Sequence, residues 1–141
     1  MIREAVKEDA REVARLSSQL GYEITEFEAG ERLERLLADR DHAVYVQEAE
    51  GGGLAGWVHV HGRHLIESPP FAEIGGLVVD GTQRRKRVGE QLMRRSEQWA
   101  RESGYRMMRI RSGSQRKEAH EFYQRIGYEA VKRQEVFALS L

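Results

Sequence analysis

The segment Val78-Val79-Asp80-Gly81-Thr82-Gln83-Arg84-Arg85-Lys86-Arg87-Val88-Gly89 concentrates the chain's most suggestive chemistry. An apolar, strand-like run ends there, four consecutive cations follow, and a helical pattern begins near Val88. Main-chain N–H groups at a helix start, reinforced by the helix dipole, form a ready anion site. Arg84, Arg85, Lys86 and Arg87 add charge-assisted donors, with Arg94 and Arg95 one to two turns further along. A phosphate-binding turn is the reading favoured here, while a solvated basic face or a nucleic-acid patch would be spelled with the same residues. Two other patterns invite chemistry. Gly51-x-Gly53-x-x-Gly56 matches the dinucleotide fingerprint, but that motif must open a helix. Here it runs into the strand pattern of residues 54–60, so a hairpin turn is expected. His59, His61 and His64 have a spacing that could ligate zinc, yet no supporting shell can be read and no metal is expected.

The elements that must position these residues follow from periodicity. Residues 2–6 form a strand candidate, and Val13, Leu16 and Leu20 recur at helical spacing until Gly21. Thr25 followed by Glu28 is a capping box opening a second helix with Phe27, Leu33, Leu36 and Leu37. Residues 43–46 and 54–60 flank the glycine turn as a hairpin, and 71–79 form the next strand. A helix over about 88–103 buries Val88, Leu92, Ser96 and Trp99. A strand at 105–110 leads to a helix starting at Ser114 or Gln115, carrying Ala119, Phe122, Tyr123 and Ile126 and closed by Gly127. Residues 128–141 have room for two short strands. Strands that both pair as hairpins and alternate with helices predict an α/β fold with a mixed sheet covered by helices.

Composition bounds the function. A chain of 141 residues suits one domain, so residues 1–141 are expected to fold as a single unit. Lys plus Arg and Asp plus Glu each count 23, a neutral balance that argues against coating nucleic acid or an anionic membrane. Cysteine is absent, which removes disulfides, thiolate-zinc sites and cysteine acyl-enzymes. No apolar run approaches the ~18 residues of a membrane span, and a soluble, cytoplasmic protein is expected.

Glu73-Ile74 on a strand, the turn Arg84-x-x-Arg87-x-Gly89, and Ala119-x-x-Phe122-Tyr123-x-x-x-Gly127-Tyr128 together resemble the GNAT superfamily of N-acetyltransferases. The resemblance runs along nearly the whole chain. It implies a central mixed, mostly antiparallel sheet of about six to seven strands flanked by four helices. It also implies acetyl-coenzyme A as donor, a primary amine of a small molecule or peptide as acceptor, and direct transfer in a ternary complex. Homodimers are frequent among such proteins.

Cofactor contacts implied by the resemblance fall at Leu77, Val78 and Val79, at Arg84, Arg85, Lys86, Arg87, Val88, Gly89 and Glu90, and at Ser114, Arg116, Ala119 and Phe122. Arg87 stands where the family places a glycine, a residue favoured where a ligand must approach the backbone closely. An amine attacks a thioester only as the free base, yet a lysine-like amine has a pKa of about 10.4, so the site needs a proton acceptor. Glu73 resembles the family's catalytic glutamate, against the plain reading of a solvent-facing strand carboxylate. Tyr123 stands where the family's general acid stands, against a core aromatic. If the strand bulges, as Gly75-Gly76 suggests, the Val79 N–H would polarise the thioester carbonyl. Tyr22, Glu26 and Phe27, with Glu23, could line an acceptor pocket that attracts a cation, or merely flank two helices. A non-catalytic acyl-coenzyme A sensor on the same fold is the alternative function.

Overall fold

The computed structural model describes every residue except Arg84, Arg85, Gly113, Ser114 and Gln115. Residues Met1–Ile110 form one compact unit and Arg111–Leu141 a second. In the first, β1 (Ile2–Glu4) leads through a 3₁₀ turn into α1 (Ala10–Ser18) and α2 (Glu26–Leu37). The strands β2 (His42–Glu48), β3 (Leu54–Arg63) and β4 (Phe71–Val79) follow, then α3 (Val88–Glu102) and β5 (Met108–Ile110). The sheet runs β1-β2-β3-β4-β5, antiparallel throughout except for the parallel β4–β5 pair.

Alternation along the strands sends side chains to two faces, each covered by helix. One face presents Val44, Val46, Leu54 and Val78 to Val13, Leu16, Ala29 and Leu33 of α1 and α2. The other receives Val88, Leu92, Met93, Ser96 and Ala100 of α3, all buried. Gly56 lets α3 come close, because a Cβ there would sit 3.1 Å from both Leu92 Cδ1 and Val88 Cγ1. The third glycine of the false fingerprint is thus a packing residue, and Gly51–Gly53 lie in the β2–β3 turn with positive φ. Trp99, expected in the core, is only half-buried and stacks on Tyr105 with centroids 5.9 Å apart.

In the second unit α4 (Lys117–Arg125) ends at Gly127, whose φ of 109° is left-handed. The two strands expected over 128–141 are not formed, so the sheet of the described residues has five strands rather than six to seven. A hairpin there would turn at Arg133-Gln134, which lacks the Gly or Asn that a tight two-residue loop requires. β5 is likewise shorter than expected and covers only the end of residues 105–110. No described helix is long and apolar enough to cross a membrane.

Candidate active site

The most unusual local feature is a bulge in β4. His59 pairs with Gly76 and Val60 with Ile74, so Gly75 is an extra residue with no partner on β3. Glycine is required because the neighbouring strand's side chains lie against the backbone: a Cβ at Gly75 would fall 2.4 Å from His59 Nδ1, and one at Gly76 2.9 Å from Trp57 Cη2. The bulge resets which amides face which neighbour. Before it, the Ala72 N–H donates to Met107 O at 2.9 Å, towards β5. After it, the Asp80 N–H donates to Ala55 O at 2.8 Å, towards β3. Antiparallel alternation then turns the Val78 amide to β3 and the Leu77 and Val79 amides to the opposite edge. β5 pairs only with Ala72, Glu73 and Ile74. Beyond Ile74, among the described residues, no strand covers the edge that carries those two amides.

Glu73 lies just before the bulge and is buried, not solvent-facing. Its Oε2 accepts from Arg63 Nη1 at 3.0 Å and lies 3.6 Å from His61 Nε2. Beside it, His42, His59 and His61 form a triangle of near-parallel rings with centroids 5.1–5.2 Å apart. His42 Nδ1 and His59 Nε2 share a hydrogen bond of 2.9 Å. Burial, and then the neighbouring His61 and His42, hold His59 down to about 4, so its ring is neutral at pH 7. His64 instead faces Tyr105 and Asp41, at 3.1 and 3.3 Å. The third ring is therefore His42, which the sequence reading missed; only the β2–β3 register (His42 opposite His61) reveals it. Among the described residues, no group of three or more His, Asp or Glu is arranged to hold a metal ion.

Past Val79 the chain turns on Asp80. Its Oδ1 accepts from the Thr82 amide and hydroxyl, both at 3.0 Å, and Arg15 reaches Oδ2 at 3.3 Å. These bonds, the Thr82 amide foremost, hold the carboxyl below the usual range, although burial opposes them. Arg84 and Arg85 lie outside the described residues, and Lys86 is exposed. Arg87 is the N-cap of α3 with φ 61° and ψ 23°, the left-handed conformation, and its side chain provides no cap. Its guanidinium instead turns along the helix, with Nε donating to Glu90 Oε1 at 3.1 Å. Gly89 and Glu90 are half-buried in the first turn, while the Val88 side chain belongs to the core.

A groove between α1 and α2 is lined by Ser18, Gly21, Tyr22, Glu23, Ile24, Thr25 and Glu28. Tyr22 lines this groove, whereas Glu26 and Phe27 begin α2 as exposed residues outside the lining. In the second unit, Arg116 stands at the N-cap position of α4 without a side-chain cap, and Ala119, Phe122 and Tyr123 are half-buried along the helix; Ser114 lies outside the described residues. Phe122 meets Tyr123 edge-on with centroids 5.1 Å apart, and Tyr123 meets Tyr128 at 6.3 Å.

A sequence model of the acetyltransferase (GNAT) family matches residues 6–128. The aminoglycoside N(6')-acetyltransferase type 1 of Stenotrophomonas maltophilia is 29% identical over 144 residues, covering 99% of this chain and 93% of that protein. The aminoalkylphosphonate N-acetyltransferase of Salmonella typhimurium is 33% identical over 78 residues, 55% of this chain. That match spans about half of the relative's length, 51%. Among solved structures, an aminoglycoside N-acetyltransferase, AAC(6')-Iy, in complex with CoA superposes with a TM-score of 0.89 at 21% identity, covering 100% of this chain and 95% of that one. The glucosamine-6-phosphate N-acetyltransferase of Arabidopsis thaliana gives 0.83 at 22% identity, covering 99% and 98%. At those identities the structural likeness speaks for the fold.

Proposed function

Since the chain belongs to the acetyltransferase (GNAT) family, we propose that it transfers acetyl from acetyl-coenzyme A to a primary amine of a small molecule. The observation that carries this reading is the uncovered edge of β4, with the Leu77 and Val79 amides pointing out of it. An extended amide-bearing arm such as pantetheine can add there as a further strand. The Leu77 amide bonds the arm, and the Val79 N–H faces the thioester carbonyl, where negative charge grows as the amine adds. The diphosphate sits at the uncapped start of α3, near Lys86 and Arg87.

In the reaction the amine nitrogen bonds to the acetyl carbon and the carbon–sulfur bond breaks. Glu73 takes the amine proton through a water, because Arg63 already holds its carboxylate at 3.0 Å. The departing thiolate takes up a proton, a donation that the family resemblance gives to Tyr123. Tyr22 and Glu23 of the α1–α2 groove present a hydroxyl and a carboxylate suited to a cationic acceptor. The relatives named for aminoglycosides and aminoalkylphosphonates supply the first two amine classes to try.

The test is a calorimetric titration with acetyl-coenzyme A, followed by thiol release with both amine classes. Saturable binding and turnover are expected, and Glu73→Gln should lower kcat about 100-fold with the acetyl-coenzyme A KM unchanged. Absence of binding by folded protein would end this reading. Binding without turnover on any amine would make the chain an acyl-coenzyme A sensor, a function that the left-handed Arg87 at the family's glycine position favours.

A further inference from the structure

Glu73 lies on a strip of the sheet that is rich in cations. Register partners on neighbouring strands share a face, so Glu73 stands beside His61 of β3 on one side and Arg109 of β5 on the other. Phe71 stands beside Arg63, and His42 joins the strip opposite His61. All of these residues belong to the first unit. The two arginines are used differently. Arg63 is committed to the acid, its Nη1 donating to Glu73 Oε2 at 3.0 Å. The Arg109 side chain has no hydrogen bond and no ion pair among the described residues. What holds it is the buried ring of Phe71, with Cζ 4.4 Å from the ring centroid. Stacking grips a guanidinium by its face and leaves the N–H donors of its edge for a carboxylate or phosphonate. A half-buried positive charge fixed in place without a counter-ion is completed by an anion from outside.

We propose that Arg109 selects the acceptor by binding an oxyanion carried on the same molecule as the reacting amine. The inference rests on the acetyl-transfer reading and narrows it, from any small amine to a short amino acid or aminophosphonate. Adjacent strands lie about 4.8 Å apart, so an amine at Glu73 and an oxyanion at Arg109 are separated by roughly one to three carbons. The same strip works against other amines. A neutral amino alcohol leaves the Arg109 charge unmet. A diamine or a polycation brings a second positive charge against Arg63 and Arg109, a repulsion that discriminates as effectively as the attraction does.

Four amines of matched length test this: aminoethylphosphonate, β-alanine, ethanolamine and ethylenediamine. By thiol release, kcat/KM should be about 10- to 100-fold higher for the two oxyanion-bearing amines than for ethanolamine, the range of a charge-assisted pair, with ethylenediamine lowest. The better of the first two tells whether the oxyanion is a phosphonate or a carboxylate. Arg109→Gln, with folding confirmed by circular dichroism, should bring the ratio of either oxyanion amine to ethanolamine down to about one, through KM. Arg109→Lys should keep part of that ratio, because the charge stays while the planar fork is lost. A titration reads the same contact without turnover. The Arg109 Nε–H resonance, identified by its loss in Arg109→Lys, should shift when aminoethylphosphonate or β-alanine is added and stay in place with ethanolamine. If no amine is acetylated, the transfer reading fails, and this titration still decides whether Arg109 binds the oxyanion. A resonance indifferent to both oxyanions overturns the inference. So does an equal kcat/KM for all four amines, or an equal fall for all of them in Arg109→Gln, which would make the arginine part of the fold alone.

Discussion

Two helices of the first unit begin in opposite ways. At the start of α2, Thr25 Oγ1 accepts from the Glu28 amide and Glu28 Oε1 accepts from the Thr25 amide, both at 3.0 Å. The box satisfies the helix's own donors and places acidic groups at the positive end of its dipole. At the start of α3 an acid, Glu90, also lies in the first turn, but its Oε1 accepts from the Arg87 side chain at 3.1 Å and no side chain caps the helix at the N-cap position. The N-cap is a left-handed arginine without a side-chain cap, and the residues before it are cations. A helix start without a side-chain cap, preceded in sequence by cations, has the chemistry to attract an anion from outside. The first helix start serves the fold, and the second suits a ligand.

Substitutions should separate the two. The largest effect is expected from Gly89→Asp, which places a carboxylate in the first turn of α3 where the diphosphate would lie. Acetyl-coenzyme A affinity should fall roughly 100-fold by calorimetry, while the melting temperature holds or rises, because an acid suits a helix start. An unchanged affinity would show that the α3 start binds no phosphate. Next in size is Thr25→Ala, which removes the cap of α2 and should cost about 1 kcal/mol in a denaturant titration. The acetyl-coenzyme A affinity should not move, and a shift beyond error would mean that the α1–α2 region communicates with the donor site.

The contrast also shows which parts of this molecule are written locally. The capping box of α2, the helix closed by Gly104 and the β2–β3 hairpin were legible because each rests on residues a few positions apart. The bulge was foreshadowed by Gly75-Gly76, although the rings that demand those glycines come from His59 and Trp57 on another strand. The burial of Glu73 and its ion pair with Arg63 depend on the β3–β4 register, and His42 joins the histidine triangle only through β2. The strands expected over 128–141 have the alternation of a sheet but form no strand among the described residues, and alternation alone does not pair a strand. Arg87 was legible as a departure from glycine, but its left-handed backbone shows why glycine suits the position.

Arg87→Gly gives the next smaller effect. It removes the side chain from a conformation that crowds a Cβ against the carbonyl, at the expense of a more flexible unfolded chain. The melting temperature should rise by no more than a few degrees, and acetyl-coenzyme A affinity should change by less than about 10-fold. If the substitution converts a chain that does not bind acetyl-coenzyme A into one that does, Arg87 has closed the site and the donor assignment for the unmodified chain fails.

The smallest effect is a titration at the start of α2. Bonds from the Thr25 amide, and next from its hydroxyl, hold the Glu28 carboxyl below its ordinary 4.5. A carboxyl whose pKa is lower in the folded chain stabilises it above the unfolded value, and that contribution disappears as the pH falls through the folded one. Carbon-detected NMR should therefore place the Glu28 midpoint below 4.5. In Thr25→Ala the midpoint should move back up, because the hydroxyl that orients the box is gone. Gly89→Asp supplies the comparison at α3: its carboxyl titrates beside uncapped amides and cations, and binding of coenzyme A should raise its midpoint by bringing phosphate against it. A midpoint indifferent to coenzyme A would leave the two helix starts different in structure but alike in function.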